Sequence, residues 1–310
     1  YHRVTPKPLD EINKSLPTLF ITEQTFRKHL AFYNKHYKIV RFSDLAGYAK
    51  NKSADIPYNL LMITFDDGYE DNIRYGAPIL SEYNVPWTLF VATDKVGKKE
   101  VMWWDRMFAL LTHLAQEQSQ KECQEQRKAS PLPTHVQETL TQFCDNSSAL
   151  FARFNKCKME EIHALIQDLQ SYCVLSEEAL QAENSFLNWD QARKLYPHAD
   201  VASHTCSHTV LTGMALTEVA KEMSLSKEII QNDCHREPTA FSYPAGIYTN
   251  EIAALVPKAG YHFAVTQDRG VNCLTKPYTL KRINLWEGSA NLSSGEFSLG
   301  FFSFRMLGFL

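Results

Sequence analysis

What most limits the fold of this chain is a recurrence of short apolar runs. They lie at residues 39–42, 60–65, 89–92, 200–203, 239–243, 263–266 and 280–284, with 1–4 as the remnant of another. Several are continuously apolar rather than alternating, which is the pattern of strands covered on both faces in a parallel sheet. Helical periodicity fills the intervals. Phe26, Leu30 and Tyr33 fall at i, i+4 and i+7 behind Thr22, with Glu23 in the first turn. Val219, Met223, Ile229 and Ile230 follow Thr217, with Glu218 in the first turn. Strand–helix alternation around one core indicates an α/β barrel or a doubly wound sheet.

Between Trp104 and about Asp190 the pattern changes to a polar, helix-favouring stretch with few strand signals. It is broken at Pro131-Leu132-Pro133 and carries a turn cluster at Asp145-Asn146-Ser147-Ser148. Residues 116–128 read as a solvated helix surface. The expectation is one domain over 1–310 with a helical insertion at about 104–190, carried on one loop. Such an insertion shapes substrate access or forms an oligomerisation surface; the sequence does not choose between them, and the oligomeric state stays open.

Composition excludes some classes. The chain has 310 residues, is 44% apolar and 22% charged, and carries a net charge of -3. No Lys/Arg block resembles a nucleic-acid footprint, so a nucleic-acid partner is not expected. The seven cysteines are odd in number and lack any C-x-x-C pair. That argues against a disulfide framework and against a cysteine zinc site, leaving free thiols in a reducing, cytoplasmic setting. No apolar run approaches the ~20 residues of a membrane-spanning helix. The sequence begins at Tyr1 rather than Met, so a periplasmic or membrane-associated location also stays open.

The strongest chemical signal is Thr64-Phe65-Asp66-Asp67-Gly68, where a buried run leads straight into two carboxylates and a glycine. In an α/β barrel this puts the pair at the C-terminal end of a strand, where catalytic groups collect. Adjacent residues leaving a strand point in different directions, so the two carboxylates face one pocket from two angles. The second signal is Ser203-His204-Thr205-Cys206-Ser207-His208, directly after Val201-Ala202. Two histidines four apart, on a helical turn or a tight loop, can clasp one ion. Cys206 reads as a packed thiol rather than a ligand. One carboxylate and two imidazoles form a facial set that leaves positions open for water and substrate.

These motifs resemble those of the polysaccharide deacetylase family (NodB-homology domains, carbohydrate esterase family four). Asp66-Asp67 match its T-F-D-D-G motif, and His204 to His208 its H-[S/T]-x-x-H motif. Phe241-Ser242-Tyr243-Pro244-Ala245-Gly246 matches the position of a third motif, usually F-R-x-P-[Y/F]-G, and Tyr1-His2-Arg3-Val4 looks like the first barrel strand of many members. The resemblance implies a distorted TIM-like (β/α) barrel of NodB type, with the helical insertion, that removes N-acetyl groups from amino sugars of a glycan. It implies a divalent metal, zinc first, on Asp67, His204 and His208. Asp66 would be the general base that takes a proton from water held by the ion. The backbone N–H of Ala245 would help hold the oxyanion.

This chain departs from the pattern in three ways. Ser242 stands where the family has an arginine that steadies the base, and Arg282 is the candidate to reach Asp66 from elsewhere. Ala245 replaces an aromatic and opens the pocket. No late histidine stands where the family supplies its general acid; His262 and His2 are the candidates, with His262 read chiefly as the start of a strand. Tyr243, Trp286 and Trp189 are candidates for a sugar-binding face. The apolar tail 297–310 reads as packing against the barrel, with a membrane-surface segment as the alternative. Hydrolysis of another amide or ester, or a glycan-binding protein with a degenerate site, are the rival functions.

Overall fold

A computed structural model describes residues 1–50, 59–123, 132–272, 274–292 and 295–307; side chains are described throughout these except at 48–50 and 120–123. In chain order the elements begin with β1 (Arg3–Thr5), β2 (Phe20–Thr22), α1 (Glu23–His36), β3 (Lys38–Ile39), α2 (Phe42–Lys50), β4 (Leu60–Leu61), β5 (Thr64–Phe65), α3 (Ala77–Glu82) and β6 (Trp87–Val91). Four helices follow: α4 (Trp103–Cys123), α5 (Thr134–Phe154), α6 (Met159–Gln170) and α7 (Glu177–Glu183). Then come α8 (Trp189–Lys194), β7 (Ala199–Ser203), α9 (Leu216–Cys234), β8 (Ala240–Ser242), α10 (Asn250–Ala253), β9 (Phe263–Val265) and α11 (Leu299–Met306).

The chain divides into two compact units. The first holds Tyr1–Pro6, Leu19–Lys98 and Phe186–Leu310, and the second Lys7–Thr18 and Lys99–Ser185. In the first unit β5-β6-β7-β8-β9 form one sheet in that order, every neighbour parallel. β1 pairs β2 in parallel, and the Asp66 amide donates to the Tyr1 carbonyl at 3.1 Å, joining this pair to the end of β5. A parallel bridge from Val265 to Leu280 extends the other edge. The result is a curled parallel half-barrel, consistent with the distorted barrel that the family resemblance implies; the alternation of runs alone leaves a doubly wound sheet open as well. Because all strands run one way, the residues that follow β5, β7 and β8 collect at one rim.

The core explains why these segments fold as they do. Phe65, Trp87, Leu89 and Val91 are buried in the strands. Phe26, Leu30 and Tyr33 supply the apolar stripe of α1, and the Thr22 hydroxyl caps that helix by accepting from the Thr25 amide. α9 likewise buries Val219, Met223 and Ile230, but it starts one turn's fraction early, with Ala215 rather than Thr217 at its entry. Glu218 makes this entry workable by accepting from the Ala215 amide at 3.2 Å.

Three expectations need correction. β2 was not foreseen; its run is only three residues long. The 280–284 run makes a single bridge rather than a strand, because Arg282 and Lys281 divert its bonds to Asp268, Thr266 and Asn272. Phe42 opens α2 instead of ending a strand.

The second unit is the polar helical stretch. Its core contains Met107 and Leu111 of α4, Leu140, Leu150 and Phe151 of α5, and Ile162, Ile166 and Leu169 of α6. The cluster at 145–148 is a kink inside α5 rather than a loop. Asn146 leaves helical geometry there and its carboxamide oxygen accepts from the Ala149 amide, restarting the helix. Residues 7–18 join this unit without an obvious sequence signal. Asn184, wholly buried, donates to the Lys14 carbonyl, and Ser15 donates to buried Asp105. The second unit ends at Ser185, a few residues short of the expected end of the insertion at about 190, and α8 groups with the first unit. The break at Pro131 and the end of the 116–128 surface lie outside the described residues.

Candidate metal and catalytic site

β5 ends at Phe65, and Asp66 and Asp67 follow within a turn that reverses sharply. Asp67 has φ 76° and Gly68 φ 85°. A Cβ on Gly68 would lie 3.0 Å from Leu187 Cδ2 and 3.1 Å from Val91 Cγ1, so glycine suits both the conformation and the space. β7 ends at Ser203, and the histidines that follow occupy a tight loop rather than a helical turn: Thr205 has φ 68° and His208 φ 63°. Ala245, after β8, has φ 55°. Asp67, Thr205, His208 and Ala245 are thus non-glycine residues in left-handed backbone at one rim. Such strain persists only where the surroundings over-determine it, and it collects at functional sites.

The ligand atoms of Asp67, His204 and His208 all lie within 4.8 Å of one another. His208 Nε2 is 3.2 Å and His204 Nε2 3.6 Å from Asp67 Oδ1. His204 Nδ1–H donates to the Ser242 carbonyl at 2.7 Å, which fixes the tautomer and leaves the Nε2 lone pair facing the carboxylates. Burial pushes the His204 imidazole down to about 4, against an upward pull from Asp66, so it is neutral at neutral pH. Burial alone would raise the Asp67 carboxyl, but His208, His2 and His204 hold it below its ordinary value.

Asp66, 1% exposed, is gripped by Arg282. Nη1 reaches Oδ1 and Nη2 reaches Oδ2, each at 2.7 Å. The guanidinium is held in turn by donating Nε–H to the Thr266 carbonyl at 2.9 Å and Nη2–H to Ser242 Oγ at 3.0 Å. Ser242 donates its own hydroxyl to Asp66 Oδ2 at 3.2 Å. Burial works against ionisation here too, yet Arg282 and His204 keep the Asp66 carboxyl well below the usual range. Ser242 therefore occupies the third-motif position beside the very arginine that arrives from residue 282.

The other candidates fall as follows. Ala245 is half-buried and its N–H bonds to none of the described residues. Trp286 is half-buried, its ring folded over Gly288, on the segment whose Glu287 binds the Thr22 and Thr25 hydroxyls at the head of α1. Trp189 packs against the main core. His2 lies near enough to Asp67 and Asp66 for both to act on its charge, while burial, the larger effect, lowers its pKa. His262 is exposed and precedes β9, at the opposite rim from the carboxylates. Tyr243 corrects the sequence reading: it is fully buried, stacked on Tyr248 and donating its hydroxyl to the Tyr278 carbonyl at 2.9 Å. Strand alternation is the reason, since Ser242 faces Asp66 and its neighbour must face the helix layer.

Cys206 is a packed thiol, its Sγ donating to the Glu222 carbonyl, and burial raises it to about 11. Cys144, Cys157, Cys173 and Cys234 are free as well; Cys273 and the side chain of Cys123 lie outside the described residues. Sequence reasoning did not find Glu222, whose carboxylate accepts from the Cys206 and Ser207 amides. Its one signal is an acidic residue on the α9 stripe beside Met223.

Fold and site together define a class: a curled parallel half-barrel of α/β type with an Asp/His/His donor set and a salt-bridged second aspartate at its carboxyl rim. Comparison with known proteins gives the family. The polysaccharide deacetylase family model matches residues 54–130 and 148–264, and the chain belongs to that family. YxkH of Bacillus subtilis (strain 168), itself named a putative polysaccharide deacetylase, is 22% identical over 238 residues, 76% of this chain. This chain spans about half, 55%, of the length of that relative. Among solved structures, the de-N-acetylase from Aggregatibacter actinomycetemcomitans superposes with a TM-score of 0.59 at 14% identity, over 98% of this chain and 97% of that one. The Streptococcus pyogenes deacetylase PplD, solved with acetate, gives 0.58 at 14% identity over 93% and 91%. At these identities the structural likeness concerns the fold.

Proposed function

We propose that this chain hydrolyses N-acetyl groups on amino sugars of a glycan, releasing acetate and leaving free amines. We read 1–310 as one catalytic domain that carries α4–α7 as an insertion. Asp67, His204 and His208 would hold a divalent ion, with zinc the best match to two imidazoles and a carboxylate. The donor chemistry fits: a buried carboxylate kept ionised, a neutral imidazole whose tautomer is fixed, and ligand atoms within 4.8 Å of each other. A divalent cation bound there supplies Lewis-acid chemistry, acidifying water and polarising an acyl oxygen.

The chain's own residues do the rest. Asp66 takes the proton from the attacking water, and Arg282 with Ser242 holds both of its oxygens so that the carboxylate cannot rotate away. The Ala245 N–H is a donor with no described partner and is free to bind the oxygen that gains charge. Trp286 offers an aromatic face to a pyranose ring. The observation that carries this reading is Asp66 itself, buried, doubly paired with Arg282 and 3.7 Å from His204 Nε2.

The test measures acetate release from N-acetylglucosamine oligomers together with metal content by elemental mass spectrometry. Wild type should carry about one equivalent of zinc, and His208→Ala should lose it. Asp66→Asn should keep the metal and lose about 10²–10⁴-fold in rate, the usual contribution of a general base. Full activity in Asp66→Asn would sink the mechanism, and metal without turnover on any glycan would favour a binding role.

A further inference from the structure

The loop that carries His208 is held from two sides. Its carbonyls face residues 93 and 94: the Thr93 amide donates to the Thr205 carbonyl at 3.2 Å and the Asp94 amide to the Cys206 carbonyl at 3.0 Å. Its amides face α9. The Cys206 and Ser207 N–H groups both donate to one oxygen of Glu222, Oε2, at 2.8 and 3.0 Å. Glu222 is half-buried next to Met223, which is fully buried, and α9 packs along β7, so the carboxylate has a fixed approach to the loop.

The two histidines depend on this anchor unequally. His204 has its own restraints, its amide bonded to the Val91 carbonyl at 2.9 Å and its ring to the Ser242 carbonyl. His208 is restrained through the loop backbone: its amide donates to Thr205 Oγ1 at 2.9 Å, and both Thr205 and His208 sit in left-handed backbone that relaxes if nothing holds it. We infer that Glu222 is a positioning residue for His208: its carboxylate clamps the Cys206–Ser207 amides and so keeps the His208 imidazole aimed at Asp67. The inference rests on the proposed Asp67/His204/His208 ion site for its function, though not for the clamp.

Two measurements on Glu222→Ala and Glu222→Gln test it, both at a temperature well below the melting transitions. The first is zinc affinity by competition with a chromophoric chelator. Glu222→Ala should bind zinc about 10–100-fold more weakly, the range for losing an outer-shell partner. Glu222→Gln retains an acceptor oxygen and should recover most of that loss. A purely structural role would lower the melting temperature of Glu222→Ala and leave its zinc affinity at the wild-type value, and that outcome overturns the inference. The second is amide hydrogen exchange of the metal-free proteins. Cys206 and Ser207 should exchange at least tenfold faster in Glu222→Ala than in wild type. If wild type binds no zinc at all, the ion-site reading fails, and exchange alone decides the clamp: unchanged rates at these two amides refute it.

Discussion

Replacing Arg282 by leucine removes the partner of a carboxylate that has almost no access to water. Asp66 would keep the Ser242 hydroxyl at 3.2 Å and the His204 ring at 3.7 Å, but lose both 2.7 Å bonds to the guanidinium. Two charge-assisted bonds at about 1.5–3 kcal/mol each agree with the about 3–5 kcal/mol cost of breaking a buried ion pair from one side. The sign with pH follows from linkage. Wild-type Asp66 is held below its ordinary pKa, so its contribution to stability is present above about pH 4 and fades as pH falls through and below that value. In Arg282→Leu burial is unopposed by the guanidinium, the carboxyl rises, and protonation relieves the buried charge as pH drops. Urea unfolding of the two metal-free proteins should therefore differ by about 3–5 kcal/mol at pH 7 and by clearly less at pH 4. In acetate-release assays the acid limb of the variant's pH profile should move upward. A difference in stability that is small, or that does not shrink toward acid, would refute the claim that Arg282 sustains a buried charge on Asp66.

Two more predictions concern the scaffold. His29 is fully buried, stacked on Phe302 with ring centroids 4.0 Å apart, and burial pushes its imidazole down to about 3. Below pH 6.5 the unfolded chain binds a proton that the folded one refuses, so stability falls by about 2 kcal/mol from pH 7 to pH 5 through this residue alone; His29→Leu should flatten the drop by that amount in chemical denaturation, and an equal drop in both proteins would exclude the assignment. Gly246 has φ 69°, and a Cβ there would lie 2.5 Å from Gln267 Cβ and 2.6 Å from its amide nitrogen. Gly246→Ala should cost about 2–4 kcal/mol from left-handed strain and overpacking combined, and calorimetry showing an unchanged melting temperature would contradict it.

Much of the site was readable residue by residue. Asp66-Asp67-Gly68 and His204 to His208 are contiguous, and each follows a buried run, so local order alone carries both their chemistry and their place at a strand end. A parallel sheet then brings separate strand ends to one rim without further instruction. The facing of Tyr243 was not readable in this way: only the structure turns Ser242 toward Asp66, and the period of two then puts Phe241 and Tyr243 on the opposite, core face.

Other features carried no such signal. Residues 7–18 pack with α4–α7 through Asn184 and Asp105, partners far away in sequence whose choice depends on how two segments abut. Arg282, which the sequence offered only as a candidate, reaches Asp66 across 216 residues, and Glu222, which sequence reasoning did not find, reaches back 16 residues to the Cys206 amide. By itself the sequence determined the polarity, the period and the local turn chemistry of each segment, hence the parallel α/β class and the two motifs. Only the tertiary structure decided that the candidate Arg282 does arrive at Asp66, which acid holds the His208 loop and which aromatics are buried. A long charged side chain can pair with any opposite charge or amide its element is packed against, and that neighbour is set by sheet order and helix docking rather than by adjacent residues.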